Sequence, residues 1–321
     1  MAPGADVDPA TAPFFRDLDE EAHAGLRGLL QRARFDPGEI LWQQGAAADG
    51  AHVIERGTVE VSRRLPDGDS QSLATAGAGE ILGELGLFGE GRRSGEARAV
   101  DKVATVFLSR DAVNMLASHP STAITSLRRR CCHVGAARLR RRHAALAETL
   151  PAGDQPHPPL ATPSVIDLSA AAWDSYVPKL SFFADWGPDE LESLRARARI
   201  VSVPRQTWLY RRGDLPASCH VVVNGVLVER IERGPKAVKT GVVGPGRASG
   251  YVGIVLGSEH SVAAVAYERA VLMELQTEVF AELYDGRNQV SRRFVESFHR
   301  DVMVAVRQAE RPHITVAAGV E

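Results

Sequence analysis

One short segment of the chain concentrates residues of opposite chemistry: Gly83-Glu84-Leu85-Gly86-Leu87-Phe88, followed by Gly91-Arg92-Arg93-Ser94. A glycine that ends a strand and opens a short helical turn leaves the first backbone N–H groups of that turn without partners, and these attract an anion. Glu84, directly after the glycine, can accept hydrogen bonds from a pair of sugar hydroxyls. Arg93 can fork two N–H groups onto phosphate oxygens, and Ser94 can add a hydroxyl. Leu85, Leu87 and Phe88 can pin the turn to an apolar wall. A group that satisfies all of these carries a phosphate, a diol and an apolar face. A lone Glu and Arg at this spacing would more simply be a surface ion pair. What raises the segment above that reading is the frame around it.

That frame is an internal repeat. Gly45 lies in ILWQQGAAADGAHVIERGTVEV and Gly213 in WLYRRGDLPASCHVVVNGVLVE, an offset of 168. Gly57 and Gly225 share the offset of 168, and Gly83 and Gly250 stand 167 apart. Between the copies, Leu150 to Pro163 reads LPAGDQPHPPLATP, whose five prolines forbid a regular helix or a central strand. Each copy opens with an amphipathic helix, carried by Leu26, Leu29 and Leu30 in the first and by Leu191 and Leu194 in the second. Short alternating strands with glycine corners follow, such as Val53-Ile54 and Val59 to Val61 around the Gly57-Thr58 turn. Val221 to Val223, Gly225 and Val226 to Val228 repeat them. This pattern predicts a small antiparallel barrel or jelly roll. Each copy then returns to helix, over Asp111 to Ser118 and Ser121 to about Ala147, and over Glu278 to Tyr284 and Asn288 to about Arg311.

Composition agrees with two ordinary globular domains. The 321 residues are 44% hydrophobic and 24% charged, which excludes a disordered chain, a collagen-like chain and a membrane bundle. No apolar run is long enough to span a bilayer, and MAPGADVDPATAPFF lacks the basic start and apolar stretch of a signal peptide. Three cysteines, Cys131, Cys132 and Cys219, show no metal spacing and imply reduced thiols in the cytoplasm. A net charge of −2 does not call for nucleic acid as a partner. From Ser121 to Ala147 there are nevertheless seven arginines and no acid. That face suits an acidic partner, nucleic acid or an anionic membrane surface. The favoured reading is a solvated face of a helix that closes the pocket and pairs with a second subunit.

The second copy reads differently at the chemical positions. Tyr251 stands for Glu84 and His260 for Arg93. A tyrosine cannot hold two hydroxyls as a carboxylate does, and a neutral imidazole is a poor phosphate clamp. Ser258-Glu259-His260 has the composition of a catalytic trio, but adjacent loop residues do not form a triad by being neighbours, and the repeat already accounts for them. GPGRASG, at Gly244 to Gly250, lacks the remainder of a nucleotide loop and reads as a turn.

The first segment resembles the phosphate-binding cassette of cyclic nucleotide-binding domains, G-E-L-x-L followed by R-S or R-A, and GELGLF is similar to the version in bacterial catabolite activators. Phe35, Gly38, Ile40, Leu41, Gly45, Gly57, Val59 and Val61 fall where that family's strands and turns fall. The resemblance covers about residues 14–147 and again 178–310. It implies a mainly β fold with flanking helices (α+β), as two tandem cyclic nucleotide-binding β-roll, jelly-roll-like domains. Residues 1–149 form the first domain, 150–177 a Pro-rich linker, 178–311 a second domain with a degenerate cassette, and 312–321 a tail. Carried over residue by residue, it implies that Glu84 holds the ribose 2′-hydroxyl and Arg93 the cyclic phosphate. The backbone of Gly83, Glu84 and Leu85 lines the same pocket, and Ser94 touches phosphate. Arg92 stands where many members have proline, and Glu96 adds a carboxylate close behind. Positions that carry hydroxyls in the activators fall near Ala137 and Arg138, so the standard adenine contacts are not implied.

The expected function is that of a non-catalytic receptor for cAMP, cGMP or a related cyclic nucleotide, with no cofactor or metal, signalling through an unidentified protein partner or as a homodimer. Two alternatives stand beside it: a nucleotide-independent scaffold or subunit, and an atypical transcription regulator using the arginine-rich helix. The activators carry a winged helix-turn-helix after their long helix, where this chain has the joint and the second copy. Asn288 to Arg293 looks like a recognition helix but aligns with the closing helix of the repeat. The tandem layout is closer to regulatory subunits of the cAMP-dependent kinase, although no arginine-rich inhibitory segment precedes the first copy.

Overall fold

The computed structural model of the chain describes residues 7–65, 68–88, 91–118, 122–151, 160, 163–166, 170–233 and 236–309. Most of the Pro-rich joint, the pairs Gly89-Glu90 and His119-Pro120 with Ser121, and the tail 312–321 lie outside them. The chain divides into two compact units, Met1–Arg130 and Cys131–Glu321.

The first unit opens with α1 (Glu20–Leu26), whose N-terminus is capped by the Asp19 side chain accepting from the Ala22 N–H at 2.8 Å. The expected helix through Leu29 and Leu30 ends early: Gly28 takes φ 74°, and Leu30 begins a strand. Eight strands follow: β1 (Leu30–Phe35), β2 (Ile40–Trp42), β3 (Gly50–Arg56), β4 (Val59–Arg64), β5 (Ser70–Ala76), β6 (Ile81–Leu82), β7 (Glu96–Ala99) and β8 (Val103–Ser109). They pair antiparallel in two sheets, ordered β1-β8-β3-β6 and β2-β7-β4-β5. Ile54, Leu82 and Val103 from the first sheet meet Val59, Ala76, Ala97 and Ala99 from the second in one buried cluster, so the sheets close as a roll. Two helices follow: α2 (Arg110–Ala117), capped by Ser109, and α3 (Thr122–Glu148).

The second unit repeats this plan. After β9 (Ser164–Val165), α4 (Ala170–Tyr176) and α5 (Pro188–Arg195) come β10 (Arg199–Val203), β11 (Trp208–Tyr210), β12 (Ser218–Asn224), β13 (Leu227–Arg233), β14 (Lys236–Val243) and β15 (Ala248–Ser249). Then come α6 (Tyr251–Leu256), β16 (Ala263–Ala266), β17 (Ala270–Gln276), α7 (Thr277–Tyr284) and α8 (Gln289–Ala309). The sheet orders are β15-β12-β17-β10-β9 and β11-β16-β13-β14. Apart from the added edge strand β9, these are the orders of the first roll, and Val201, Val222, Leu227, Val243 and Leu272 form the matching core. The duplication read from glycine spacing is therefore a duplication of topology.

The arginines of α3 serve the protein's own structure. Within the first unit, Arg130 Nε donates to the Phe14 carbonyl at 3.1 Å, and Arg128 lies 5.5 Å from the Phe88 ring centre. Of the seven, only Arg141 is exposed. Within the second unit, Gly135 lets α8 approach closely: a Cβ there would come 2.8 Å from Val302 and 3.1 Å from Met303. Cys131 and Cys132 on α3 and Cys219 on β12 are buried and unbridged, as packing residues are. Among the described residues no helix is long and apolar enough to cross a membrane.

Candidate functional site

In the first unit, β6 ends at Leu82, and Gly83 turns the chain with φ 84° into a single 3-10 turn, Glu84–Gly86. Gly83 is required twice over, because its φ is left-handed and a Cβ there would collide with Arg93 Nη1. The turn and the loop before β7 thus bring Glu84 and Arg93 into one place. Glu84 is 1% exposed and Arg93 6% exposed. A surface ion pair would leave both in water.

Arg93 is fixed on several sides. Its Nη2 donates to Asp49 Oδ1 at 2.6 Å and to the Gly50 carbonyl at 2.8 Å. Its guanidinium lies 4.3 Å from the Trp42 ring centre, and Trp42 Nε1 is anchored on the Gly95 carbonyl at 3.0 Å. The loop that carries it is stitched down by Gly45 N to Arg93 O and Arg93 N to Ala46 O, each 2.9 Å. Burial lowers its pKa from the usual arginine value, while the hydrogen bond and charge of Asp49 and the charge of Glu84 push it back up. Its Nε is buried with no hydrogen-bond partner among the described residues. A buried guanidinium with an unused donor is suited to an anion.

His52 on β3 lines up behind this group, stacked 5.8 Å from Trp42 and tilted against Phe107 at 4.7 Å, with Nδ1 3.0 Å from Thr105 Oγ1. Burial, and then the charge of Arg93, lower its pKa to about 4, so it is neutral at pH 7. Leu85 is half-buried, and Ser94 is exposed, with its carbonyl taken by Arg63 Nε at 3.1 Å. Arg92 is exposed and donates to the Gly45 carbonyl at 2.8 Å. Glu96 shares the outward side of β7 with Arg98, which it binds at 2.6 Å, while Ala97 and Ala99 face the core. The added carboxylate is thereby neutralised on the outside of the sheet. Sequence reasoning missed Trp42, Asp49 and His52. Trp42 and His52 had a signal: an aromatic recurs at Tyr210 and a histidine at His220, both at the offset of 168.

The second unit builds the same turn with other side chains. Gly250 takes φ 86° and opens α6. Gly213 N bonds His260 O at 2.9 Å, as Gly45 bonds Arg93. His260 stacks on Tyr210 at 3.9 Å and 13°, where Arg93 stacks on Trp42. Burial lowers its pKa to about 4, so this position carries no charge at pH 7. Tyr251 is buried edge-on to Phe298, with ring centres 5.1 Å apart. Glu229, at the position of Val61, accepts from Ser249 Oγ at 2.7 Å and from Tyr210 Oη at 3.3 Å. Burial raises its pKa. A cavity of about 70 Å3 remains, lined by Leu139, His143, Tyr210, Glu229, Tyr251 and His260 among others. An uncharged imidazole and an added acid in place of a guanidinium do not suit a phosphate. Ser258 takes Arg140 and His260 takes Tyr210, so the trio is not a triad.

Parts of the chain are similar to known proteins. Residues 32–119 match the family of the cyclic nucleotide-binding domain. The chain is 32% identical over 142 residues to the CRP-like cAMP-activated global transcriptional regulator of Mycobacterium tuberculosis, covering 44% of this chain and 61% of that protein. It is 34% identical over 77 residues to the cAMP-dependent protein kinase type II regulatory subunit of Drosophila melanogaster, covering 24% of this chain and 20% of that one. Among solved structures, the regulatory domain of Toxoplasma gondii PKA with cAMP is 16% identical, covers 88% of this chain and 90% of its own, and has a TM-score of 0.33. The chain thus spans less than two thirds of these curated relatives. Its first roll, which carries the turn, Glu84 and Arg93, contains the residues 32–119 that match the cyclic nucleotide-binding domain family, and its second roll repeats the first roll's topology.

Proposed function

We propose that the protein is a non-catalytic receptor whose first roll binds a cyclic purine nucleotide, cAMP or cGMP, and whose response is passed to a partner protein or a second copy of the chain. The observation that carries this is Arg93: a buried cation packed against the Gly83 turn, with an unused Nε donor. In this reading the Nε and Nη1 edge of Arg93 and the backbone N–H groups of the Glu84 turn take the phosphate. Glu84 takes the ribose hydroxyl. Asp49 and Trp42 hold the guanidinium so that little side-chain entropy is lost on binding. Ser94 and Leu85 complete the same pocket. A reducing compartment such as the cytoplasm fits the three buried free cysteines.

Thermal unfolding with and without cAMP and cGMP tests this against a nucleotide-independent scaffold. A ligand at 100 times its Kd adds about 2.7 kcal/mol, roughly 5–10 °C for a domain of this size. No shift with either nucleotide contradicts the proposal. The likeness to the mycobacterial regulator favours a second reading, in which the receptor acts in transcription. A salt-dependent gel shift with duplex DNA supports that reading, and no binding at low salt removes it.

A further inference from the structure

The outer face of the second roll carries chemistry that its interior does not. Along β11, β16 and β13 successive side chains alternate between the two faces of the sheet. Ala264 and Ala266 belong to the interior clusters, whereas Trp208, Ala263 and Val265 form a separate buried cluster on the other face. Arg230 stands opposite Ala263 in the strand register and so shares that outer face, with its guanidinium 4.3 Å from the Trp208 ring centre. Two residues on, Glu232 Oε1 lies 2.9 Å from Arg230 Nε and balances its charge. Glu229, next to Arg230 on β13, lines the interior cavity instead.

At this outer platform lies a cavity of about 390 Å3, lined by Arg140, Trp208, Arg211, Arg212, Glu232 and Glu259 among others, all within the second unit. Small-molecule sites run from about 300 to 1,000 Å3. With Arg230 and Glu232 paired, three arginines face one remaining acid, Glu259, which leaves two positive charges on the wall of a chain whose net charge is −2. Arg140 is held in place, its Nη1 donating to Ser258 Oγ and to the Glu259 carbonyl at 3.3 Å. Arg212 is exposed and makes no hydrogen bond or ion pair among the described residues.

These cations are not part of the inherited frame. At the offset of 168 the first roll has Gln43 and Gln44 in place of Arg211 and Arg212, Ile40 in place of Trp208, and Ser62 in place of Arg230. Gln44 closes its corner onto β4, donating to the Arg64 carbonyl at 3.3 Å and accepting from the Arg64 N–H at 2.7 Å. The corner therefore folds with neutral amides, and two guanidiniums there answer to something other than the fold.

We propose that this outer cavity is a second ligand site, for a diphosphate or triphosphate, free or esterified to a nucleoside. Guanidinium forks match phosphate oxygens, and here they converge from α3 and from the corner after β11. A cleft lined by one sign of charge over a low-dielectric floor, here Trp208, concentrates the field on an anion, and two net charges suit more than one phosphoryl group. The site is independent of the cyclic nucleotide reading of the first roll.

Titration calorimetry on the full chain with pyrophosphate, ADP and ATP, at about 0.15 M salt, is expected to give one site per chain. Saturating cAMP and the Arg93→Ala variant are expected to leave that site unchanged. Arg211→Gln with Arg212→Gln installs the glutamines with which the first roll builds the same corner, and is expected to weaken binding roughly ten-fold or more. Glu259→Gln removes the opposing charge and is expected to tighten binding about two-fold. Pyrophosphate binding as tightly as ADP supports the free anion, and tighter ADP or ATP supports the esterified one. No binding by wild type, equal binding of citrate, or a double glutamine variant that binds like wild type overturns the proposal. Displacement by cAMP or loss in Arg93→Ala places the anion in the first roll and overturns it as well.

Discussion

In the first roll the loop after the turn delivers Arg93 onto Trp42; in the second the same loop delivers His260 onto Tyr210. The two loops are held by the same backbone bond, from Gly45 in one and Gly213 in the other. Both turns are opened by a glycine with φ near 85°, 84° and 86°. The stacked geometry outlived the charge. The difference teaches that in this fold the glycine corners and the aromatic platform are a packing requirement, whereas the cation and the acid after the glycine are not needed to build the turn. Where the cation is gone, the neighbouring wall has acquired Glu229, Ser249 and Tyr210 as an internal polar network, and α3 covers the arm.

The comparison breaks most visibly at Arg93. Arg93→Ala removes the charged hydrogen bonds proposed to hold the phosphate. The expected loss is about 3 kcal/mol or more, roughly a hundred-fold in Kd, by titration calorimetry. His260→Ala, the matched change in the second roll, is expected to leave the Kd and the stoichiometry alone. Glu84→Gln removes the charge and replaces one of the two carboxylate acceptors proposed for the ribose with an N–H donor, and is expected to cost about 1.5–3 kcal/mol, roughly ten- to a hundred-fold. A deoxyribose analogue should lose much less affinity in that variant than in wild type.

Acid titration sharpens the comparison in another way. His52 and His260 each have a pKa lowered from 6.5 to about 4 by burial, one in each roll. A lowered histidine pKa means that the unfolded chain binds more protons between those values. Stability is therefore full above about 6.5 and falls as pH drops toward 4, by on the order of 2–3 kcal/mol for each histidine. His260→Gln should flatten the acid limb in the second roll's hydrogen exchange and leave the first roll's unchanged. The smallest effect belongs to Glu229. Its carboxyl pKa is raised by burial, so the folded state holds its proton more tightly and the contribution to stability falls as pH rises through the folded value. Glu229→Gln should remove that decline while keeping the hydroxyl contacts.

Much of this was legible in the residues. Glycine spacing carried the repeat, because corners that need left-handed φ cannot drift, and alternation carried the β-roll. That Gly83, Glu84 and Arg93 come together in one buried place was legible from the glycine corners and the repeat around them. Leu29 and Leu30 misled, since an apolar pair continues a helical stripe as readily as it starts a strand, and only Gly28 decides. The arginine run was ambiguous for a related reason. Charge counts say nothing about which guanidinium finds a carbonyl or an aromatic ring, as Arg130 and Arg128 do. Asp49 gave no signal at all, because its partner lies 44 residues away and an exposed acid in a loop is unremarkable in sequence.

The most direct test counts cyclic nucleotide molecules bound by the intact chain in wild type and in Arg93→Ala, by titration calorimetry with cAMP and cGMP. One molecule per chain, lost in Arg93→Ala and kept in His260→Ala, is the result predicted. Two molecules per chain, or binding that survives loss of Arg93, would contradict the assignment of one working cassette and one that holds only the protein itself.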